Sequence, residues 1–123
     1  MGKYVVRKAK TGLMFNLKAG NHEVIATSEI YNTKRACLNG IESVRRNAPI
    51  APIEDQTVEG FAREKCPKFE VYLDKAGEYR FRLKAVNGQI IATGESYKQK
   101  DGCLNGIESI KKNADSEVAF EEA

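Results

Sequence analysis

Two stretches of this chain are identical: Cys37-Leu-Asn-Gly-Ile-Glu-Ser43 and, 66 positions later, Cys103-Leu-Asn-Gly-Ile-Glu-Ser109. The likeness continues through residues 44–48 and 110–114, where every difference is conservative. Self-similarity of this kind indicates an internal duplication, in which each copy is one structural unit. We therefore expect the same unit to occur twice along the chain.

The doubled segment has the periodicity of an amphipathic helix. In the first copy, small or apolar residues recur every three or four positions, at Cys37, Gly40, Ile41, Val44 and Ala48, and this spacing buries one helical face. A glycine inside a helix costs about 1 kcal/mol relative to alanine. Its presence in both copies predicts that another backbone approaches there and that the helix presses closely on a sheet.

Three strand-like segments precede each helix, and short turns join them. Residues 79–85 alternate between apolar and basic side chains, which is typical of a half-buried strand. Asn87-Gly88 predicts a type I′ hairpin turn. The helices are expected to end near residues 48 and 113, and a short strand is expected after each, at 53–55 and 118–120. The pattern predicts an α+β fold in which a β-β-β-α-β unit occurs twice.

The length of 123 residues fits one ordinary domain. Half of it, about 60 residues, would be only marginally stable alone. We place repeat 1 at residues 1–58 and repeat 2 at 59–123, and expect both to form one globular unit. Because such a chain contains both halves of a pseudo-twofold, we expect a monomer.

Composition indicates a cytoplasmic protein. Twenty basic and 17 acidic residues give a net charge of only +3, less than most nucleic-acid-binding domains carry. The three cysteines, Cys37, Cys66 and Cys103, form no closely spaced pairs, which favours free thiols in a reducing compartment. The sequence contains no recognisable signal peptide and no apolar run of membrane-spanning length.

The sequence resembles the YegP-like family of small bacterial and archaeal proteins. The resemblance covers both halves and lies in Phe15–Ala19, Ser28–Tyr31, Gly40–Ser43, Lys68–Tyr72, Gly77–Ala85, Asn87-Gly88, Glu95–Tyr97 and Gly106–Ser109. It implies a single shared antiparallel sheet with two helices packed on it. It also implies that the two units exchange their C-terminal strands, here residues 53–55 and 118–120. The family has no assigned function, so the resemblance transfers no catalytic or ligand-binding residue.

One candidate ligand site is a duplicated polar set between the third strand and the helix: Glu29, Tyr31 and Lys34, with Glu95, Tyr97 and Lys100. Two such sets related by a pseudo-twofold could line a groove. The alternative is structural, because a tyrosine ring can pack on the core with its hydroxyl at the edge. A glutamate in this position can also satisfy helix N-terminal donors.

A second candidate is a basic row, Arg80, Arg82 and Lys84, to which Lys18 could be added. Such a row could bind a phosphate backbone, although recognition of single strands also uses aromatic side chains for stacking. Strand alternation turns Tyr79 and Phe81 to the opposite face. The alternative is a solvated sheet face.

No catalytic constellation is recognisable in the sequence. His22 is the single histidine, which makes a histidine-based zinc site or a nucleophile–base pair difficult to build. We predict no cofactor and no metal. The function predicted is that of a small non-enzymatic interaction or accessory protein with an unidentified protein partner. Weak nucleic-acid binding is the alternative, and an enzyme with a groove between the repeats is a third hypothesis. The doubled segment itself is expected to be structural rather than a site.

Overall fold

The computed structural model describes residues 2–121, which form eight strands and two helices. In repeat 1 the elements are β1 (Lys3–Ala9), β2 (Gly12–Lys18), β3 (Val24–Thr27), α1 (Lys34–Asn47) and β4 (Ile53–Asp55). In repeat 2 they are β5 (Lys68–Leu73), β6 (Tyr79–Lys84), β7 (Ile90–Thr93), α2 (Lys100–Asn113) and β8 (Glu117–Phe120). The β-β-β-α-β order predicted for each unit is confirmed. No helix within the described residues is long and apolar enough to cross a membrane.

All eight strands belong to one sheet, in the order β4-β5-β6-β7-β3-β2-β1-β8. The exchange of C-terminal strands is confirmed: β4 of repeat 1 pairs with β5 of repeat 2, and β8 of repeat 2 pairs with β1. The sheet is mixed rather than wholly antiparallel, because these two outer pairs are parallel. Each helix carries the chain back across the sheet, so the strand that follows starts from the same end as its partner.

The two repeats meet along β3 and β7, which share a single register pair, Thr27 and Thr93. Beyond that pair the chain leaves β3 and is held by the neighbouring strand: Leu13 and Tyr31 exchange two backbone hydrogen bonds, of 2.8 and 2.7 Å. Tyr97 is bonded in the same way to Tyr79, at 2.7 and 2.8 Å. This departure separates β3 from β7 and opens space between the repeats.

Two residues explain where helix α1 begins and ends. Thr33 is the N-cap of α1, and its side chain accepts a hydrogen bond from the Ala36 N–H at 3.1 Å. Pro49 prevents continuation beyond the C-terminus of α1.

The predicted turn at Asn87-Gly88 differs from type I′: only Gly88 has a positive φ, of 83°, whereas type I′ requires positive φ at both central residues.

The core lies between the helices and one face of the sheet. Cys37, Ile41 and Val44 of α1 are buried, as are Cys103, Ile107 and Ile110 of α2. The close approach predicted at Gly40 exists, but the group that approaches is the side chain of Tyr31 rather than a backbone. The ring of Tyr31 stacks on Phe15 with centroids 6.3 Å apart. Gly40 therefore leaves room for the side chain of Tyr31 between helix and sheet, and Gly106 does the same for Tyr97.

Candidate functional site

Three adjoining cavities form a groove along the β6–β7 hairpin, and the facing wall consists of Glu29 and Tyr31 in the first cavity and mainly of α1 in the other two. They measure about 530, 310 and 310 Å³. Tyr31, Gln89 and Ile91 line both the first and the second cavity. Ser43, Ala85 and Asn87 line both the second and the third. One wall of this α1 groove comes from repeat 1 and the other from repeat 2, so it exists only where the two repeats are joined.

Tyr31 lies at the base of the α1 groove. Its ring is half-buried against Phe15 and Gly40. Burial raises the pKa of its hydroxyl, and the proximity of Cys37 and Glu29 adds to the effect. The hydroxyl is therefore protonated at neutral pH and is available as a hydrogen-bond donor and acceptor.

The doubled segment supplies the helical wall of the α1 groove. Asn39, Ser43 and Asn47 all line it, and a spacing of four residues places them on one helical face. Asn47 donates a hydrogen bond from Nδ2 to Ser43 Oγ at 3.0 Å. Across the groove, Asn87 and Gln89 complete a polar lining. The segment expected to be purely structural thus contributes directly to the groove.

A related arrangement surrounds Tyr97 in the other half of the molecule. Tyr97 stacks on Phe81 with centroids 6.5 Å apart, and a Cβ added to Gly106 would lie 2.5 Å from its hydroxyl oxygen. Burial raises the pKa of Tyr97, with further contributions from Cys103, Glu95 and Glu23. Glu23 belongs to the β2–β3 hairpin of repeat 1, so the surface between α2 and that hairpin, which we call the α2 groove because it is the counterpart of the α1 groove, also combines the two repeats.

The predicted polar sets are only partly assembled. Glu29 and Tyr31 line the α1 groove together, but the two lysines lie elsewhere. Lys34 places its Nζ 4.3 Å from the ring centroid of Phe120, and Lys100 forms an ion pair with Asp55 at 2.9 Å. Both lysines therefore contact the exchanged strands, because each helix begins beside the strand that the other repeat contributes.

The basic row on β6 is neutralised by acidic neighbours on the same sheet face. Arg80 pairs with Asp74 at 2.8 Å, and Arg82 pairs with Glu70 at 2.6 Å. Lys84 lies 3.3 Å from the same Glu70 carboxylate. Lys18, on β2, is separated from β6 by β7 and β3, so the four predicted residues form no continuous basic strip.

The ion pairs on this sheet face are centred on two buried carboxylates. The side chain of Glu54 is only 2% exposed and that of Glu70 only 4%, and Lys68 lies between them at 2.8 and 3.2 Å. Burial alone would raise the pKa of Glu54. Hydrogen bonds from Lys68, Gln56 and the backbone N–H of Glu64 outweigh it and lower the pKa to about 2. The Glu64 contact also holds the linker between the repeats, residues 56–67, against β4.

The two halves of this open sheet face have different chemistry. Cross-strand pairing places one residue of every strand in a single row, which runs Glu54, Glu70, Arg82, Thr93, Thr27, Asn16, Val5 and Ala119. The three charged members, Glu54, Glu70 and Arg82, lie at the β4–β5–β6 end of the sheet, and the five members from β7 to β8 are uncharged. The face also carries an aromatic ring that strand alternation on β6 alone did not reveal, since Arg82 lies 4.5 Å from the ring centroid of Tyr72.

The remaining candidates have structural roles. His22 occupies a hairpin position with φ of 71°. Cys37 and Cys103 are buried, and burial raises the pKa of both thiols, that of Cys103 to about 11 with a contribution from Asp55. Residues 2–121 contain no group of three or more histidine, cysteine or acidic side chains placed to hold a metal ion.

The fold and grooves define a class of small α+β proteins built from two fused repeats that exchange strands. The chain belongs to the family described as "Domain of unknown function (DUF1508)", whose model matches residues 10–55 and 74–121. The predicted membership of the YegP-like family is confirmed by the relatives and the solved structure that follow.

A UPF0339 protein, YegP, of Yersinia pestis is 38% identical over 119 residues, which are 96% of this chain and 93% of the relative. A UPF0339 protein encoded in the ptx operon 5′ region of Stutzerimonas stutzeri is 64% identical over 53 residues, 43% of this chain and 48% of the relative. The solution structure of yegP from E. coli, a protein of unknown function, has a TM-score of 0.79 at 33% identity and covers 98% of this chain and 92% of that one. None of these names assigns an activity.

Proposed function

We propose that this protein is a non-enzymatic interaction protein of the cytoplasm and that its partner binds in the α1 groove. The observation that carries the proposal is that both repeats line the groove, with Glu29, Tyr31 and α1 of repeat 1 facing the β6–β7 hairpin of repeat 2. Because both repeats contribute to this groove, a single repeat on its own would not form the site. The free cysteines support a reducing compartment.

The chemistry of the lining favours recognition over proton transfer. Asn39, Asn87 and Gln89 each offer an amide that donates and accepts hydrogen bonds without changing its protonation state. The raised pKa of Tyr31 keeps its hydroxyl protonated. A general base should have a pKa near the working pH, and burial moves the pKa of Tyr31 upward, away from that range. The groove is therefore suited to holding a partner.

The nucleic-acid alternative is not supported by the geometry of the basic row. Its three members on β6 are already paired with carboxylates at 2.6 to 3.3 Å. A phosphate backbone would have to compete with those carboxylates, two of the pairs being made to the buried Glu70. We therefore do not assign a nucleic-acid interface to this face.

A photo-cross-linking amino acid at Asn39 tests the proposal in living cells. Asn39 is exposed and lines the α1 groove. The matched control is Lys75, which is exposed in the turn between β5 and β6, away from the groove. We expect discrete cross-linked products at Asn39 and none at Lys75. Absence of a product at Asn39, or the same products at both positions, would refute the proposal.

A further inference from the structure

The α1 and α2 grooves occupy equivalent positions but have diverged at the hairpins that form their outer walls. Both hairpins are closed by the same backbone bonds: Ala85 N–H to Gln89 O and Ala19 N–H to Glu23 O, each at 2.9 Å. These bonds make Gln89 the structural equivalent of Glu23. They likewise make Val86 the equivalent of Gly20. The α1 groove thus has a neutral amide and an apolar side chain where the α2 groove has a carboxylate and no side chain.

The divergence changes the charge around the two tyrosines. Burial raises the pKa of both tyrosines, with further contributions from Cys103, Glu95 and Glu23 at Tyr97 and from Cys37 and Glu29 at Tyr31. The hairpin tip of the α1 groove is also apolar. Val86 is 69% exposed and lines the same cavity as Arg46 and Asn47.

The dimensions of the α1 groove fit an extended chain. Its helical wall runs from Ala36 to Asn47, and eleven steps along a helix span about 16 Å. An extended polypeptide covers that distance in about five residues. A compact small molecule would fill only one of the three adjoining cavities.

The polar groups of the α1 groove are suited to a peptide backbone. Asn39 and Ser43 follow one another along α1, and Asn87 and Gln89 alternate along the hairpin. Each amide can donate to a carbonyl and accept from an N–H, so the two walls can satisfy both types of group along an extended strand. At the tip, Arg46 is exposed and forms no ion pair within the described chain. It offers a partner for a carboxylate beside the apolar surface of Val86.

We infer that the α1 groove, and not the α2 groove, binds an extended peptide segment of about five residues, which places an apolar side chain against Val86 and an acidic side chain beside Arg46. This inference rests on the proposed function and specifies its partner as a polypeptide. The missing side chain at Gly20 deprives the α2 groove of the apolar contact, and the carboxylate of Glu23 makes it less suited to an acidic side chain.

A phage-displayed library of random heptapeptides is the first test. We expect enrichment of clones that combine an apolar residue with a neighbouring Asp or Glu. The best clone, synthesised with a fluorescent label, should bind with a stoichiometry of one peptide per chain. A library that yields no clone above background, or clones that bind two per chain, would overturn the inference.

Two double variants exchange the hairpin chemistry and control for each other. Val86→Gly with Gln89→Glu converts the α1 groove to the character of the α2 groove and should weaken peptide binding at least about tenfold, which is 1.4 kcal/mol. Gly20→Val with Glu23→Gln makes the reverse change and should create a second binding site. All four positions are exposed, so we expect both variants to fold. Unchanged affinity in the first variant together with unchanged stoichiometry in the second would refute the inference.

The experiments distinguish a failure of the peptide inference from a failure of the proposed function. A cross-link from Asn39 to a small molecule or to a nucleic acid would leave the α1 groove as the site but contradict the peptide. Loss of the Asn39 cross-link altogether would contradict both. A peptide that binds equally well to the Asn39→Lys variant would place its site outside the groove and contradict the inference alone.

Discussion

Gly40 and Tyr31 occupy the same small space between helix α1 and the sheet. A Cβ atom at Gly40 would fall well inside 3.0 Å of the Tyr31 hydroxyl oxygen and of the ring carbon that bears it. Gly106 and Tyr97 repeat this relationship in the second half, at 2.5 Å from the hydroxyl oxygen. The glycine of the doubled segment is therefore required by a side chain that also forms the base of a groove. Fold and candidate site depend on the same contact.

The first prediction is that Gly40→Ala destabilises the protein despite the better helix propensity of alanine. The added methyl group must displace Tyr31, and overpacking of this kind costs about 1–3 kcal/mol. Alanine recovers up to about 1 kcal/mol in helix propensity. We expect a net loss of up to about 2 kcal/mol in the free energy of unfolding, measured by urea denaturation.

Tyr31→Phe provides the control for this prediction, since it removes the oxygen nearest to the added methyl. In a double-mutant cycle, the combined variant should lose less free energy of unfolding than the sum of the two single variants. Additive losses would show that Gly40 and Tyr31 are not coupled.

Much of the fold follows from local pattern. The short strand at Ile53–Asp55 has the bounds that the resemblance indicated, and α1 ends at Asn47 where basic residues and Pro49 predicted an end. The parallel outer pairs could not be predicted from strand pattern alone, because three residues of β4 contain too little alternation to define a direction. The Tyr31 contact with Gly40 was also missed, because the two residues belong to different elements.

The candidate site was less predictable, for a physical reason. Asn39, Ser43 and Asn47 share one helical face, which their spacing makes visible in the sequence. Their opposing wall, with Asn87 and Gln89, lies at least 40 residues further along the chain and is brought near only by the packing of the repeats. The pairing of the basic row could not be predicted from β6 alone, because the acidic partner Glu70 lies on a neighbouring strand.

The second prediction concerns acid stability. The lowered pKa of Glu54 means that its ionised form stabilises the native state above its ordinary pKa of 4.5, and this contribution disappears as the pH falls from 4.5 to about 2. Glu54→Gln leaves Lys68 buried with one partner fewer. We expect a loss of about 3 kcal/mol in the free energy of unfolding at pH 7.

The difference between wild type and Glu54→Gln should narrow between pH 4.5 and about 2 in urea titrations. Glu59→Gln, at an exposed position of the linker, is the control and should be nearly neutral at every pH. A constant difference between wild type and Glu54→Gln over this range would show that the ionisation of Glu54 does not stabilise the fold.

The third prediction compares the two contacts that hold the exchanged strands. Lys100→Met removes the ion pair with Asp55, in which both side chains are about one-third exposed or less. Lys34→Met removes the cation–π contact with Phe120. Each should cost less than about 1 kcal/mol, but only the Lys100→Met effect should shrink in high salt, because salt screens ion pairs. Hydrogen exchange of the β4 and β8 backbone amides measures the loss of stability in each variant. An equal salt dependence of the two losses would contradict the assignment of an ion pair to one strand and a cation–π contact to the other.

The fourth prediction separates a structural from a nucleic-acid role for Arg82. Its guanidinium contacts both Glu70 and the Tyr72 ring. Arg82→Ala removes one partner of the buried Glu70 carboxylate and should lower the free energy of unfolding by about 2–3 kcal/mol. Titration with single-stranded RNA at low salt should show no binding for either wild type or variant. Salt-dependent binding that Arg82→Ala abolishes would restore the nucleic-acid hypothesis.

The fifth prediction is a monomer, because both exchanged strands find their partners within one chain. β4 pairs with β5 and β8 pairs with β1, so no donor strand is left to capture a second copy. The two sheet edges are also poor templates for pairing. β4 has only three residues, and charged Glu117 and Glu121 flank the apolar positions of β8, which discourages edge-to-edge association. Sedimentation equilibrium at micromolar concentration should give the chain mass of 13.7 kDa. A stable dimer mass would mean that a sheet edge or a groove accepts a second copy.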